Sequence, residues 1–310
     1  MNVLVIGGTR FLGVAIVRAL HRRGCRTTVA HRGHTRADLP EGVTEYALDI
    51  RDRNALAACL RGHRYDAVID TILDADALRF IVPLLEGRIR QFVHCGSTGV
   101  YTPMVRIPAQ EGDVCNPLPE YGGFGPKLEQ DKVLLQAHEK TGFPATILRP
   151  TNIYGAGDIP LDIWGTRNPG FFRRLVQHEP VTLPNDGRAL LQPGHVEELG
   201  EAFALALDAP GAIGKVYNIS SARAVELRAY LQILKDALRS ESPVEYEPME
   251  RLLEKYLPAR KINEGGLRFV CEHMCVDITK AREELGFAPT ISLEEGLAQN
   301  LAWMREKGII

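Results

Sequence analysis

The sequence predicts an α/β fold: a doubly wound parallel sheet, followed by a smaller, irregular carboxyl-terminal part. Three observations predict it. Short β-branched apolar runs alternate with segments of helical period over the first 150 or so residues. The first of these runs passes directly into a glycine turn and then a helix. Beyond about residue 150 the rhythm changes, and Pro160, Pro169, Pro180, Pro184 and Pro193 punctuate longer loops.

The elements follow in order. Asn2–Ile6 (NVLVI) has the composition of a strand buried on both faces. Phe11–Arg23 is helical, because Leu12, Ile16, Val17 and Leu20 share one face and Gly24 stops it. Strands are expected at Thr27–Ala30, Val43–Leu48, Tyr65–Asp70 and Ile89–Cys95, with helices at Asp52–Arg61 and Ala75–Leu85 between them. This alternation with short joins is the mark of a parallel sheet covered by helices on both faces, with right-handed crossovers. A Pro- and Gly-rich loop, a helix from about Lys127 to Lys140 and a strand at Ala145–Arg149 complete a core of residues 1–150. In the remainder, 151–310, strands are expected at Val181–Leu183 and Lys215–Ile219. Helices are expected at Pro169–His178, Val196–Leu207, Leu227–Ser240, Lys280–Leu285 and Leu293–Lys307. A strand near Val216 is placed to return to the main sheet.

Bulk properties narrow the function. The 310 residues carry a net charge of −2 with both signs interspersed, which argues against a broad nucleic-acid surface. Cys25, Cys59, Cys95, Cys115, Cys271 and Cys275 are scattered, a pattern of reduced thiols and of a cytoplasmic setting. No apolar stretch approaches the ~18 residues that would suggest a membrane span. Cys271, His273 and Cys275 lie close together, but no second ligand pair follows at zinc spacing, so no metal is expected. A serine-hydrolase elbow is also missing.

The turn GGTRFLG (Gly7–Gly13) stands between a strand and a helix, the context that gives a Rossmann phosphate turn its meaning. Gly7 allows the tight turn, and Gly13 allows close packing of helix on strand. The free N–H groups at the helix start favour a pyrophosphate. Thr9, Arg10, Phe11 and Leu12 fill the turn. Arg10 replaces a usual glycine; an arginine fits the ordinary right-handed region, and its guanidinium can hold a phosphate. The second strand ends in Ala30-His31-Arg32. A carboxylate for the ribose hydroxyls of NAD would fall near His31, and none is there. Arg32 suits a 2′-phosphate, so NADP is favoured over NAD. Asp49, with Ile50 beside it, suits the adenine edge or simply opens the next helix.

On these segments the chain resembles an extended, atypical short-chain dehydrogenase/reductase of the NAD-dependent epimerase/dehydratase family. GGTRFLG resembles a variant of that family's glycine turn, and HCGSTGVY (94–101) the strand end bearing its catalytic serine or threonine. LRPTNIYG (148–155) resembles the sugar-site segment, and GHVEELGEAFALAL (194–207) the helix after the substrate loop. VDITKAREELGFAP (276–289) followed by Leu293–Trp303 resembles the carboxyl-terminal signature.

The resemblance implies hydride transfer at a sugar carbon, with Ser97, Tyr121 and Lys127 as catalytic residues. Tyrosine is the acid/base; lysine lowers its pKa and holds the nicotinamide ribose; serine bonds the reacting oxygen. A phenol near pKa ~10 needs a neighbouring cation to act as a base at neutral pH. The family spaces the pair Tyr-x-x-x-Lys, whereas here PLPEYGGFGPK (117–127) places five residues between them. Pro117 upstream and Asp131 and Leu134 downstream both fit, so two residues are inserted. Either a bulge at Gly122-Gly123 or Gly125-Pro126 lets the pair converge, or Tyr121 has moved, or the site has lost turnover.

By the same resemblance Ser97, Thr98, Tyr121 and Asn152 face the substrate, and 165–192 wraps a nucleotide. Phe171, Phe172, Arg173 and Arg174 are candidates there, or two core rings and two surface cations. Relatives often carry an arginine four residues before the histidine of the GHV segment. Leu191 fills that place, and Arg188, further back, is the candidate left. His195 is expected to be structural. The resemblance thus implies an NADP- or NAD-dependent epimerase or dehydratase acting on a nucleotide-activated sugar through a transient ketone. An NADPH-dependent keto-sugar reductase and a non-catalytic, nucleotide- or RNA-associated member are the alternatives. A homodimer through the helices at 75–85 and 127–140 is the family habit.

Overall fold

A computed structural model describes residues 1–259 and 262–310. Its first half runs β1 (Asn2–Ile6), α1 (Leu12–Arg22), β2 (Arg26–His31), β3 (Thr44–Ala47), α2 (Arg53–Gly62), β4 (Ala67–Asp70), α3 (Ala75–Leu85), β5 (Gln91–Cys95), α4 (Gly125–Thr141) and β6 (Ala145–Pro150). The second half adds β7 (Ile153–Tyr154), α5 (Pro169–Val176), β8 (Val181–Pro184), β9 (Leu190–Leu191), β10 (Gly194–His195), α6 (Val196–Asp208), β11 (Val216–Ile219), β12 (Val225–Glu226) and α7 (Leu227–Leu238). It closes with β13 (Val244–Glu247), α8 (Met249–Tyr256), α9 (Glu264–Cys271), α10 (Thr279–Leu285) and α11 (Leu293–Glu306). Every strand and helix expected from the sequence is present within a few residues. The short strands β7, β9, β10, β12 and β13 and the helices α8 and α9 were not expected.

Seven strands form one sheet in the order β11-β6-β5-β4-β1-β2-β3, with every neighbouring pair parallel. The return of a strand near Val216 is thus observed: β11 pairs with β6, register Val216 to Ile147. Alternation along the strands feeds two cores. Val3, Val5, Ile69 and Val93 pack under α1 and α6, while Leu4, Ile6, Val68 and Phe92 pack under α2 and α3. A third core, around Phe172, Tyr230, Leu234 and Leu301, belongs to the carboxyl-terminal part and contains no strand of the main sheet. Phe171 and Phe172 are buried in it, whereas Arg173 and Arg174 are exposed.

Two polar links cross the buried layers. Asp70 and His94, both fully buried, join β4 to β5 at 2.7 Å (Oδ2 to Nδ1). Arg149 at the end of β6 donates from Nε to Asp131 Oδ2 of α4 at 2.8 Å and from Nη1 to the Tyr101 hydroxyl at 2.6 Å. Tyr101 in turn donates to Asn218 Oδ1 of β11 at 3.0 Å. The Arg149 and Asp131 side chains are 4% and 1% exposed, so removing one partner leaves the other charge in a dry layer. Arg149→Met is therefore expected to lower unfolding stability by about 3–5 kcal/mol, and Arg149→Met with Asp131→Leu to recover part of the loss. Urea titration followed by circular dichroism checks both.

Candidate active site

The strand order reverses between β1 and β4, where an open α/β sheet leaves a crevice at the carboxyl ends of its strands. A cavity of about 900 Å³ lies there. It is lined by the glycine turn, by the segments after β4, β5 and β6, by the start of α4, and by the start of α9.

The turn's geometry is set by close contacts. Gly7 has φ 95°, and a Cβ on Gly13 would come within 2.1 Å of the Gly7 carbonyl oxygen. A methyl on Gly8 would lie 2.8 Å from Val29 of β2. Among the residues of this turn, positive φ falls on Gly7 and on Phe11 (φ 40°), and Arg10 is spared it. That answers how an arginine is accommodated where a glycine is usual. Among the described residues no side chain caps α1 and no acid stands in its first turn, so its N–H groups stay available to an anion. These features fit the pyrophosphate of a dinucleotide, and Gly7, Arg10, Phe11, Leu12 and Gly13 all line the cavity.

Ser97, Thr98, Tyr121, Lys127 and Asn152 line the same cavity. Ser97 follows β5 and accepts from Gly99 N at 3.1 Å through its Oγ, which leaves its proton free to donate. Lys127, in the first turn of α4, donates from Nζ to the Cys95 carbonyl at 3.0 Å. Tyr121 ends a single 3-10 turn, Pro119–Tyr121, ahead of α4. Of the two places offered for a bulge, Gly122 and Gly123 lie outside α4 at φ 103° and 77°, conformations that other residues adopt only with strain. Gly125 and Pro126 instead open α4. Tyr121 and Lys127 thus reach one cavity, but no hydrogen bond joins them among the described residues. The phenol donates to Glu272 Oε1 at 3.2 Å. Burial and the Glu272 carboxylate raise its pKa, against a smaller lowering by Arg268. The environment of this tyrosine is therefore the reverse of one that yields a ready phenolate.

Other expected site residues sit apart from the cavity. Thr9 is buried behind the turn. His31, at the end of β2, accepts from Gly33 N at 3.0 Å and lies 2.9 Å from Glu45 Oε2. Arg32 is exposed beyond β2. Asp49 is held by Arg51 through both carboxylate oxygens, which lowers its pKa to about 2, and Ile50 after it packs half-buried against the core on the α2 side of the sheet. Arg188 is a correction: it does not line the cavity. It is exposed in the turn after β8, facing Asp186 at 3.6 Å, while the neighbouring Gly187, at φ 68°, is the residue of that turn that is buried. His195 is buried edge-on against Tyr154, and desolvation lowers its pKa.

Arg167 supplies a cation the sequence reading missed. It lines the cavity, donates to the Ile153 carbonyl at 2.8 Å and Asn152 Oδ1 at 3.3 Å, and lies 6.0 Å from the Phe11 ring. Thr71, Ile72, Phe124, Asn263 and Phe269 were also missed. The signal for α9 was present but weak: Asn263 caps it by accepting from Gly266 N, and Leu267 and Val270 form its buried face. The pair Gly265-Gly266 argued against a helix. Cys271 and Cys275 remain free thiols, and His273 Nδ1 accepts from Leu190 N at 3.2 Å.

Comparison with known proteins gives this geometry a context. The family model for the NAD dependent epimerase/dehydratase family matches residues 3–77 and 75–220. The chloroplast stem-loop binding protein of 41 kDa b from Arabidopsis thaliana is 28% identical over 317 residues, covering 96% of this chain and 78% of that protein. UDP-glucose 4-epimerase from Thermotoga maritima, solved with UDP-glucose, superposes with a TM-score of 0.76 at 21% identity over 99% of both chains. dTDP-glucose 4,6-dehydratase from Bacillus anthracis, solved with NAD, gives 0.79 at 16% identity over all of both chains.

The 2.1 Å approach at Gly13 generates a direct test. Gly13→Ala is expected to weaken binding of reduced dinucleotide by tenfold or more, roughly 1.4 kcal/mol, measured by nicotinamide fluorescence.

Proposed function

The chain belongs to the NAD dependent epimerase/dehydratase family, and on that premise we propose that it converts a nucleotide-activated sugar through a transient ketone. The observation that carries this reading is the shared cavity: Ser97, Tyr121 and Lys127 open onto the same space of about 900 Å³ as the glycine turn. That volume lies in the range of small-molecule and cofactor sites. Bound at the turn, a nicotinamide dinucleotide supplies the hydride acceptor and, later, the donor. Ser97 donates its free proton to the reacting oxygen. Tyr121 exchanges a proton with the same oxygen. Lys127, fixed to the end of β5, offers its remaining donors to ribose hydroxyls. On the sugar side, Asn152 Nδ2 is buried without a partner, a donor waiting for an acceptor. Arg167, rather than Arg188, offers positive charge to a diphosphate.

The reading favours NADP. His31 stands where a ribose-binding carboxylate would be expected, and Asp49 is already committed to Arg51. Arg10 and Arg32 are both exposed, and both are candidates to hold a 2′-phosphate. The same two arginines favour a second reading, an NADPH-consuming reductase of a keto sugar.

Incubation with NADP⁺ or NAD⁺ and either UDP-glucose or dTDP-glucose tests the proposal. An isomerised or dehydrated sugar nucleotide without net reduced nicotinamide supports it. Steady NADPH consumption with a keto sugar supports the reductase instead. A bound dinucleotide with neither activity, together with a salt-sensitive shift of stem-loop RNA, supports a non-catalytic member. Arg32→Ala is expected to weaken NADP⁺ binding by about tenfold or more while leaving NAD⁺ binding nearly unchanged, as calorimetry would show.

A further inference from the structure

The lengthened segment between Tyr121 and Lys127 has a receiving surface elsewhere in the chain. Helix α9 lies against the 3-10 turn that carries Tyr121, backbone on backbone. A Cβ on Gly265 would lie 2.9 Å from both Cα and N of Gly122. Beside it, a Cβ on Gly266 would lie 2.4 Å from the Gly165 carbonyl oxygen. Thus Gly122, in the lengthened segment, is the residue against which α9 seats. Phe124 and Phe269 close the same contact, their rings 5.7 Å apart. Phe124 also packs on Gly99, where a Cβ would meet its ring at 2.3 Å. The side near Ser97 that lies within one helical turn of Lys127 is therefore occupied by an apolar ring. The seating of α9 places Glu272, the residue after its last turn, on the Tyr121 hydroxyl at 3.2 Å.

We propose that Glu272 is a positioning residue that accepts the Tyr121 proton when the phenol takes one from the substrate hydroxyl. This rests on the hydride-transfer reading above and deepens it. The geometry permits both bonds at once: the phenol donates to Glu272 and keeps lone pairs turned toward other donors. In the oxidative half-reaction the substrate C–H pair leaves as hydride to the oxidised dinucleotide. The substrate O–H proton passes to the Tyr121 oxygen, the phenol proton passes to Glu272, and the carbon becomes a ketone. The reductive half-reaction reverses each transfer, so atoms and charge balance without a further reactant. No free phenolate is needed, which removes the requirement for a lysine one helical turn away. Lys127 is then free to serve the Cys95 carbonyl and the cofactor side.

The charged groups around the phenol are few. Arg268 of α9 faces it and is itself paired with Glu264 at 2.8 Å. Glu120 precedes it on its own turn, and Lys127 points to Cys95. Neither Arg268 nor Glu120 hydrogen-bonds the hydroxyl, so Glu272 is its proton acceptor among the described residues.

The test uses the full chain with ring-labelled tyrosine, the Tyr121 resonance being assigned by its loss in Tyr121→Phe. In the wild type the Tyr121 resonance titrates above the ordinary phenol value of about 10, in Glu272→Gln it moves down, and in Glu272→Asp it stays high. The kinetic arm follows the first turnover of UDP-glucose or dTDP-glucose with NADP⁺. Glu272→Gln, which keeps the shape of the side chain, is expected to lose about 10²-fold at neutral pH and to regain rate as the pH rises. The wild-type rate instead shows no such gain as the pH rises, and Glu272→Asp is close to it. A Glu272→Gln protein with the wild-type rate, pH profile and Tyr121 titration overturns the relay alone. A wild type that binds dinucleotide but transfers no hydride from either sugar nucleotide overturns the functional reading, and the relay with it.

Discussion

The site depends first on the buried ion pair between Asp131 and Arg149. It lies directly beneath the cavity floor, and its hydrogen bonds tie α4, β6, the turn after β5 and β11 into one unit. A charge in so dry a layer is tolerated only with a partner in good geometry. The guanidinium meets that demand twice, with a carboxylate on one side and a hydroxyl on the other. Lys127 stands one helical turn before Asp131, so the pair that anchors α4 also sets where the Lys127 ammonium can reach. Gly96 contributes by having no side chain, since a Cβ there would lie 2.9 Å from Asp131 Oδ1. The floor is polar, crowded and rigid, as preorganised donors require.

The walls are built differently. Tyr121 is positioned by a turn with two left-handed glycines and by contact with α9, which belongs to the carboxyl-terminal half. Its placement is therefore coupled to the third core, while that of Lys127 is coupled to the sheet. Two residues that open onto one cavity are thus held by two different packing units. The seam between those units is where glycines concentrate, because only backbones without side chains can approach at these distances.

Much of this was legible in the sequence. The β-branched runs and helical stripes of the first 150 residues are locally consistent, so period and composition identify each element within a few residues. The return of β11 could be anticipated from a single apolar run. The short strands from β7 onward could not, because two residues carry no period. Ser97, Lys127 and Asn152 were singled out through family-like segments, and all three line the cavity. The partner of Tyr121 was not, since Glu272 is 151 residues away and only the folded seam brings the two together. Arg188 misled for a related reason. A cation near the expected position in sequence carries no information about which way its turn faces, and Arg167, between Thr166 and Asn168, carried no motif to announce it.

The lengthened spacing is best understood as a change of partner rather than a loss of one. In a Tyr-x-x-x-Lys helix a cation one turn away lowers the phenol's pKa, so proton uptake and cofactor contact share one element. Here the phenol sits next to an anion, which would disable it as a free base: the carboxylate opposes formation of a second negative charge. The same carboxylate is nevertheless a base in its own right. What opposes a phenolate therefore assists a concerted transfer, in which the phenol never carries the charge. The two left-handed glycines, Gly122 and Gly123, are enough to make that exchange, because they let the Tyr121 turn leave the axis of α4 and meet α9 instead.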